Sequence, residues 1–495
     1  MNPGLRWGVM LLIAAPVPGA AQQYLMQLDG RVQTATYRGI QLDSIPVGQV
    51  VTGPSGGLQT PDGFTVTCAP GRAYCSYFRA GPKRSGGPWT TTANLTVWGL
   101  GLTGLSLHGN ARLAVDLGNA GVWPGTEPAV QVFEGYAEYA DTRITGRLGR
   151  LIETGRLGYT GYDGGHLTWR IGQTGLAATG YIGVGLARAT ALPVTSDVLR
   201  PLDDFQPRRR QIVAGGALEW AGPKVDARVE YQREVDRETK LFVSERAAFS
   251  ATLRPLQGWS LTGGTEYDFD YGWWGTSEIT LQHTRRWGGG SVGLRRYRPY
   301  FNLWTIWGAF SPVPYHAVNG SFWLAPVRRV RVRGAIETYT YDSVAADAPL
   351  VQTESEGARW TAGATVDITE RLSLDGGYRH EFGSGAASQG FDGNLTFRPI
   401  RAVTVTAEGG HLVRPLEFRI DNPALTWYGL SVDVRATERL RFGIGALRYD
   451  ENRRRPDASA IDWSQTRLRV TLSWLFGSNV DQLILPPAVR REGRR

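Results

Sequence analysis

Along residues 328–337, RRVRVRGAIE, charge and apolarity alternate, with Arg329, Arg331 and Arg333 interleaved by Val330 and Val332. An α-helix would scatter these arginines around its circumference, whereas a β-strand sends successive residues to opposite faces. The same period of two recurs along the chain. In VDARVEYQ (225–232), Val225, Ala227, Val229 and Tyr231 oppose Asp226, Arg228, Glu230 and Gln232. In RLSLDGGYR (371–379), Leu372, Leu374 and Tyr378 oppose Arg371, Ser373, Asp375 and Arg379. RLRVTLSWLF (467–476) sets Leu468, Val470, Leu472, Trp474 and Phe476 against Arg467, Arg469, Thr471 and Ser473.

From residue 88 onward one unit repeats: a strand of roughly ten residues, a very short turn, a second strand and a longer polar loop. Short turns fall at Ala221-Gly-Pro, Thr369-Glu-Arg, Arg398-Pro-Ile-Arg and Ala436-Thr-Glu, and longer loops at 188–208, 299–313, 341–356, 413–424 and 450–463. Alternating strands with short turns at one end and long loops at the other predict an all-β fold, a transmembrane antiparallel up-and-down β-barrel with short periplasmic turns and longer extracellular loops. Hairpin counting gives about 22 strands, within a range of about 18–22. In such a barrel lipid replaces the core, so Val330, Val332 and Ile336 face outward while Arg329, Arg331, Arg333 and Glu337 face a wet lumen.

Composition fits a thin sheet better than a thick soluble core: 64 glycines and 17 tryptophans accompany only 42% apolar residues. Trp98, Trp169, Trp220, Trp259, Trp287, Trp323 and Trp474 fall near short turns or the end of the last strand, and Trp89, Trp273, Trp274, Trp360, Trp427 and Trp463 near long loops. Amphipathic rings collect at membrane interfaces, so these read as two girdles. The net charge of +9 is spread along the chain, which argues against a nucleic-acid footprint.

Residues 1–21 read as a signal peptide, with Arg6 in the n-region, an apolar run from Val9 to Ala15 and small residues up to Ala21. The barrel is expected over 22–476 and a basic tail over 477–495. No large plug precedes the first strand in this reading. Export favours a disulfide between Cys68 and Cys75, which frame a Pro-Gly turn. They lie in a Gly/Pro-rich segment, 39–87, that either caps the mouth or folds inward.

In architecture, residues 22–476 resemble outer-membrane β-barrel proteins of Gram-negative bacteria. The closing strand, ending at Phe476, looks like the C-terminal assembly signal of such barrels, which implies the barrel-assembly machinery as a partner beside outer-membrane lipid and lipopolysaccharide. The run Gly146-Arg-Leu-Gly-Arg, followed by Gly155-Arg-Leu-Gly, is similar to Gly-Arg elements of porin and alginate-export-like channels.

Chemistry-bearing patterns are sparse. Tyr315-His-Ala-Val-Asn-Gly-Ser321 is faintly similar to an element of outer-membrane phospholipases, but His316 and Ser321 have opposite strand parity and cannot meet without a bulge. An enzyme is not expected. The six histidines show no ligand spacing, so neither metal nor cofactor is expected. Asp203-Asp204 and Arg208-Arg-Arg210 read as a solvated charged loop.

The lumen-facing candidates are Asp226, Arg228, Glu230, Arg329, Arg331, Arg333, Glu337, Arg371, Asp375, Arg379, Arg467 and Arg469, among which arginine predominates. Two readings stand. The arginines pair with neighbouring carboxylates in a structural ladder, or Arg329, Arg331 and Arg333 form a positive patch that favours anionic solutes. The function expected is passage of small hydrophilic solutes; the alternative is a structural or adhesive barrel with a sealed lumen and partner-binding loops.

Overall fold

In the computed structural model every antiparallel hairpin finds a neighbour on both sides, and the sheet closes on itself. The structure describes residues 23–53, 56–118, 129–172, 174–186, 211–237, 242–298, 314–342, 356–383, 388–413, 424–452 and 463–478. The expected signal peptide, the charged pairs in 203–210 and the tail from 479 lie outside them.

The chain enters through β1 (Gln23–Gln33), and a long excursion follows: β2 (Ala35–Pro46), β3 (Val51–Thr52), β4 (Leu58–Gln59), β5 (Val66–Thr67) and β6 (Tyr74–Gly86). The first half of the wall comprises β7 (Pro88–Trp98), β8 (Leu105–Asp116), β9 (Val130–Ala140), β10 (Ile144–Gly155), β11 (Gly158–Ile171), β12 (Leu176–Gly185), β13 (Ile212–Ala221), β14 (Val225–Val235), β15 (Phe242–Leu253), β16 (Trp259–Asp268) and β17 (Trp273–Arg285). The second half comprises β18 (Gly288–Tyr297), β19 (Tyr315–Val327), β20 (Val330–Tyr341), β21 (Glu356–Asp367), β22 (Leu372–Gly383), β23 (Gln389–Ile400), β24 (Val403–Val413), β25 (Ala424–Arg435), β26 (Leu440–Asn452) and β27 (Trp463–Gly477). Closure comes from β1, which pairs with β7 on one side and β27 on the other; Met26 lies opposite Leu95 and Phe476. The result is a 22-stranded sheet with no free edge, which satisfies the backbone in hydrocarbon.

Side-chain parity follows the alternation in the sequence. Val229, Phe249, Ile279, Leu294, Val318, Ile336, Leu374, Leu430, Ile444, Leu468 and Val470 are all exposed on the outer surface, a band that water would not tolerate and lipid fills. Among the tryptophans, Trp169, Trp220, Trp259, Trp287 and Trp474 ring the short-turn end, while Trp89, Trp274 and Trp360 lie outward near the long-loop end. The register corrects the girdle at four positions. Trp98 pairs with Gln23, Trp273 with Asp268, Trp323 with Arg333, and Trp427 with Tyr449, all on the inner face. Proximity to a turn fixes a residue's depth in the membrane but not its side of the sheet.

In the 39–87 segment β2 and β6 prolong β1 and β7 as a ladder of their own, from Ala35 opposite Gly86 to Pro46 opposite Tyr74. At its tip Cys68 and Cys75 form the disulfide, and Cys75 packs with Ile45 and Val66 in a small core of its own.

Candidate functional site

A different segment folds inward. β10 pairs with β11 along its whole length, Ile144–Gly155, but with β9 only from Thr145 to Arg150. On the other side, β11 pairs with β12 only from Tyr162 onward. Residues 151–160 therefore find ladder partners only in each other, as a hairpin that leaves the wall. Its turn, Arg156-Leu157, has just two residues, although it lies at the end of the barrel where the other connections are longer.

Two local devices make the departure possible. Gly149 takes φ +140° where β10 bends away, and a Cβ there would collide with the Gly135 carbonyl. Peeling also leaves backbone of β9 without a ladder partner, a costly state unless another donor arrives. Arg150 supplies one. Its Nη1 donates to the Val132 carbonyl at 3.1 Å, while Nε and Nη2 hold Asp163 bidentately at 2.8 and 3.1 Å.

The tip crosses the lumen to β14–β17. Arg156 Nη1 donates to Glu278 Oε1 at 3.0 Å and Nη2 to the Thr276 carbonyl at 3.0 Å, with Glu266 3.9 Å from Nε. The Leu157 carbonyl accepts from Arg246 Nη1 at 3.0 Å, and Thr160 donates to Gln232 at 3.1 Å. Leu157 and Tyr162, 5% and 0% exposed, are packed as tightly as a soluble core. Gly155 lies so close to Glu230 that any Cβ there would strike its carboxylate. These charge-assisted bonds, with the buried Leu157, hold the hairpin against its lost wall pairing.

The predicted lumen residues divide into three groups. Paired ones come first: Asp226 meets Arg254 at 2.5 Å, and Arg228 bridges Glu230 at 2.7 Å and Glu219 at 3.2 Å. Arg333 grips Asp375 with two bonds of 2.7 and 2.9 Å, Glu337 accepts from Arg359 at 2.5 Å, and Arg379 reaches Asp392 at 3.1 Å. A second group, Arg329 and Arg371, lies in turns rather than on strand faces, because β20 begins at Val330 and β22 at Leu372. Of the two readings of Arg329, Arg331 and Arg333, the ladder fits Arg333, which Asp375 neutralises from two strands away, while Arg331 stacks over Trp323 at 5.5 Å.

The third group was partly missed. Arg467 donates to Gln465 at 3.1 Å and stacks over Tyr449 at 4.8 Å. On adjacent β1, Arg31 donates to Gln33 at 2.5 Å, and Gln33 lies opposite Arg469. None of Arg31, Arg467 and Arg469 has a carboxylate within ion-pair distance among the described residues. Diagonal neighbours across a ladder stand about 7–8 Å apart, so Arg31 and Arg469 share one inner patch. The alternation QLDGRVQ of residues 27–33 carried the signal for Arg31. The hairpin tip touches β14–β17, and this patch, on β1 and β27, lies about eight or more strands round the wall from that contact.

His316 faces outward, 3.1 Å from Asp342, while Ser321 pairs inward with Ser291 at 2.7 Å; the ladder between them is unbroken, so the two stay on opposite sides. Among the described residues no three His, Cys, Asp or Glu side chains gather as a metal site.

No protein-family model matches the chain, and no curated protein matches it in sequence. Solved structures do share its fold. The ferric enterobactin receptor PfeA of Pseudomonas aeruginosa is similar over 92% of this chain and 82% of its own, with a TM-score of 0.52 at 9% identity. A BenF-like porin from Pseudomonas fluorescens Pf-5 aligns over 93% and 99%, with a TM-score of 0.38 at 10% identity. The likeness to PfeA is one of fold, and the closed even-stranded wall with its apolar outer band is the architecture of an outer-membrane-type β-barrel.

Proposed function

We propose that the barrel is a channel for small hydrophilic solutes, with a preference for anionic ones. A barrel of 22 strands encloses a lumen too wide to select small solutes by itself, and natural examples of that size need something inside. Here the infolded β10–β11 hairpin supplies the narrowing. It occupies the sector beside β14–β17 and leaves a path along β18–β27, β1 and β7.

The observation that carries the anionic preference is the Arg31, Arg467 and Arg469 patch on that path. Uncompensated charge on a partly desolvated wall concentrates ions of opposite sign. Most other inner arginines pair with carboxylates and contribute little net field, so they act as the stiffening ladder. Carboxylates, phosphates and acidic sugars are the solute classes this patch suits.

Planar-bilayer reversal potentials across a salt gradient test the reading. The native channel should favour anions, and Arg31→Gln, Arg467→Gln and Arg469→Gln together should bring it close to non-selective. A cation-selective channel, or one indifferent to all three changes, refutes the anionic preference. A folded protein that passes no current refutes the channel and favours the sealed, adhesive barrel.

A further inference from the structure

We infer that the seam between β9 and β10 is a lateral opening in the wall, through which small uncharged amphiphiles pass between the bilayer and the lumen. This sideways route is separate from the axial one proposed above and takes a different class of solute. β9 and β10 share six residue pairs, from Ala140 opposite Thr145 to Gly135 opposite Arg150. The nearby seams β8–β9 and β11–β12 have nine and ten. A strand needs about 9–11 residues to cross the hydrocarbon, so the paired part of this seam ends part-way through it.

On the long-loop side of Gly135, residues 130–134 of β9 have no strand beside them in place of β10 among the described residues. The hairpin that would have closed the wall there is held in the lumen by Arg156 and Arg246. Val132 lies opposite Ala111, in the middle of β8, so the gap reaches the depth of the hydrocarbon rather than the rim of the barrel alone.

The side chains around the gap fit this reading. At its foot, Arg150 and Asp163 share the parity of Leu148 and Leu167, which face lipid. A charged pair aimed into hydrocarbon is costly, whereas at the foot of an open seam the same pair is wetted. Higher up, Val130 and Val132 on β9 and Tyr159 on the hairpin are each about half exposed and give the opening apolar rims. Behind them, on the inner face of β8 and β9, Arg112 donates to Gln131 at 3.0 Å, and Glu134 lies opposite Asn110. Charge of neither sign dominates: Asp163 neutralises Arg150, Glu134 offsets Arg112, and Glu153 on the hairpin accepts from Tyr162 at 2.8 Å. A charged head gains nothing there, a wholly hydrophilic solute gains nothing from the valines, and a short apolar chain with a hydroxyl head is suited by both.

The test uses full-length protein in phospholipid vesicles, with heat-modifiable mobility verifying the folded barrel. The chain's own two cysteines are joined, so Val132→Cys adds a single free thiol. A charged, membrane-impermeant methanethiosulfonate should label it at least tenfold faster than Leu148→Cys in the paired part of the seam or Val292→Cys in the middle of β18. In wild type, decanol carrying a diazirine and dissolved in the bilayer should crosslink to residues 151–160 and to Gln131, which a closed wall hides from lipid, and excess plain decanol should suppress those crosslinks. Val132→Cys labelled no faster than the two controls overturns the opening. Labelling at Val132→Cys with decanol crosslinks confined to the outward face overturns the amphiphile route and leaves a water-filled notch. Planar-bilayer conductance reads the axial path alone, so the two proposals fail separately.

Discussion

Arg156 and Glu278 are separated by 122 residues in the chain, yet they meet at 3.0 Å across the barrel interior. This bond, with those to Thr276 and from Arg246, ties a hairpin with a two-residue turn to strands elsewhere in the wall. In the proposed channel it sets how much of the lumen stays open.

Removing the bridge should widen the passage. Arg156→Ala deletes two charge-assisted hydrogen bonds, the one to Glu278 among them, while the wall pairing of all 22 strands is untouched. Single-channel conductance should rise, and noise from a loosened hairpin should rise with it. Arg156→Lys keeps the charge but not the fork, and should lie between the two. Unchanged conductance in Arg156→Ala would mean that the tip stays in place through Leu157 and Thr160 alone.

Arg333 and Asp375 offer a test of the ladder by sign. Both belong to the inner face and neutralise each other, and at their exposure the pair contributes only about 0.2–1 kcal/mol of coupling. Asp375→Asn frees a positive charge and should shift the reversal potential toward anions; Arg333→Gln frees a negative one and should shift it toward cations. The double variant should return to the native value. Two single variants that shift in the same direction would show that the pair is not intact in the membrane.

Much of this wall was legible because period-two alternation is a local signal: each residue's parity is set by its immediate neighbours, as at Val225–Gln232. Pairing between strands was not. Whether Arg333 is free depends on Asp375, which lies across an intervening strand, and no local pattern reports that distance. The hairpin was not visible either. Gly155-Arg-Leu-Gly158 drew notice only for its likeness to Gly-Arg elements of channels, and the alternation on either side of it is that of an ordinary wall hairpin. Its departure depends on partners at Glu230, Arg246 and Glu278, far along the chain. Girdle tryptophans such as Trp273 failed for a related reason: Trp273 and Trp274 share a depth and differ in face, and an irregularity between Thr265 and Tyr267 resets the parity there.

The outer face should be intolerant of charge in a way the inner face is not. Val229 and Leu374 lie exposed to lipid, so Val229→Arg or Leu374→Arg near the midplane should cost about 2–4 kcal/mol. Ser373→Arg, on the other face of the same strand, should cost far less. Folding into lipid vesicles, followed by urea titration, measures both, and equal losses at Leu374 and Ser373 would contradict the register of β22 against β23.

The disulfide should matter to the excursion and not to the barrel. Cys68 and Cys75 close a short loop beside a core of Ile45, Val66 and Cys75, and cross-linking so short a loop stabilises by about 2–3 kcal/mol through chain entropy. That is most of what so small a cluster can rely on. The β2–β6 ladder stands on β1 and β7 but shares no strand pairing with the 22-stranded wall, so its tip can open as a separate unit. Cys68→Ser with Cys75→Ser should therefore raise amide hydrogen exchange across residues 45–77 while the exchange of β7–β27 and the heat-modifiable mobility stay as in wild type. Exchange that rises along β1 and β7 as well would show that the excursion is an integral part of barrel closure.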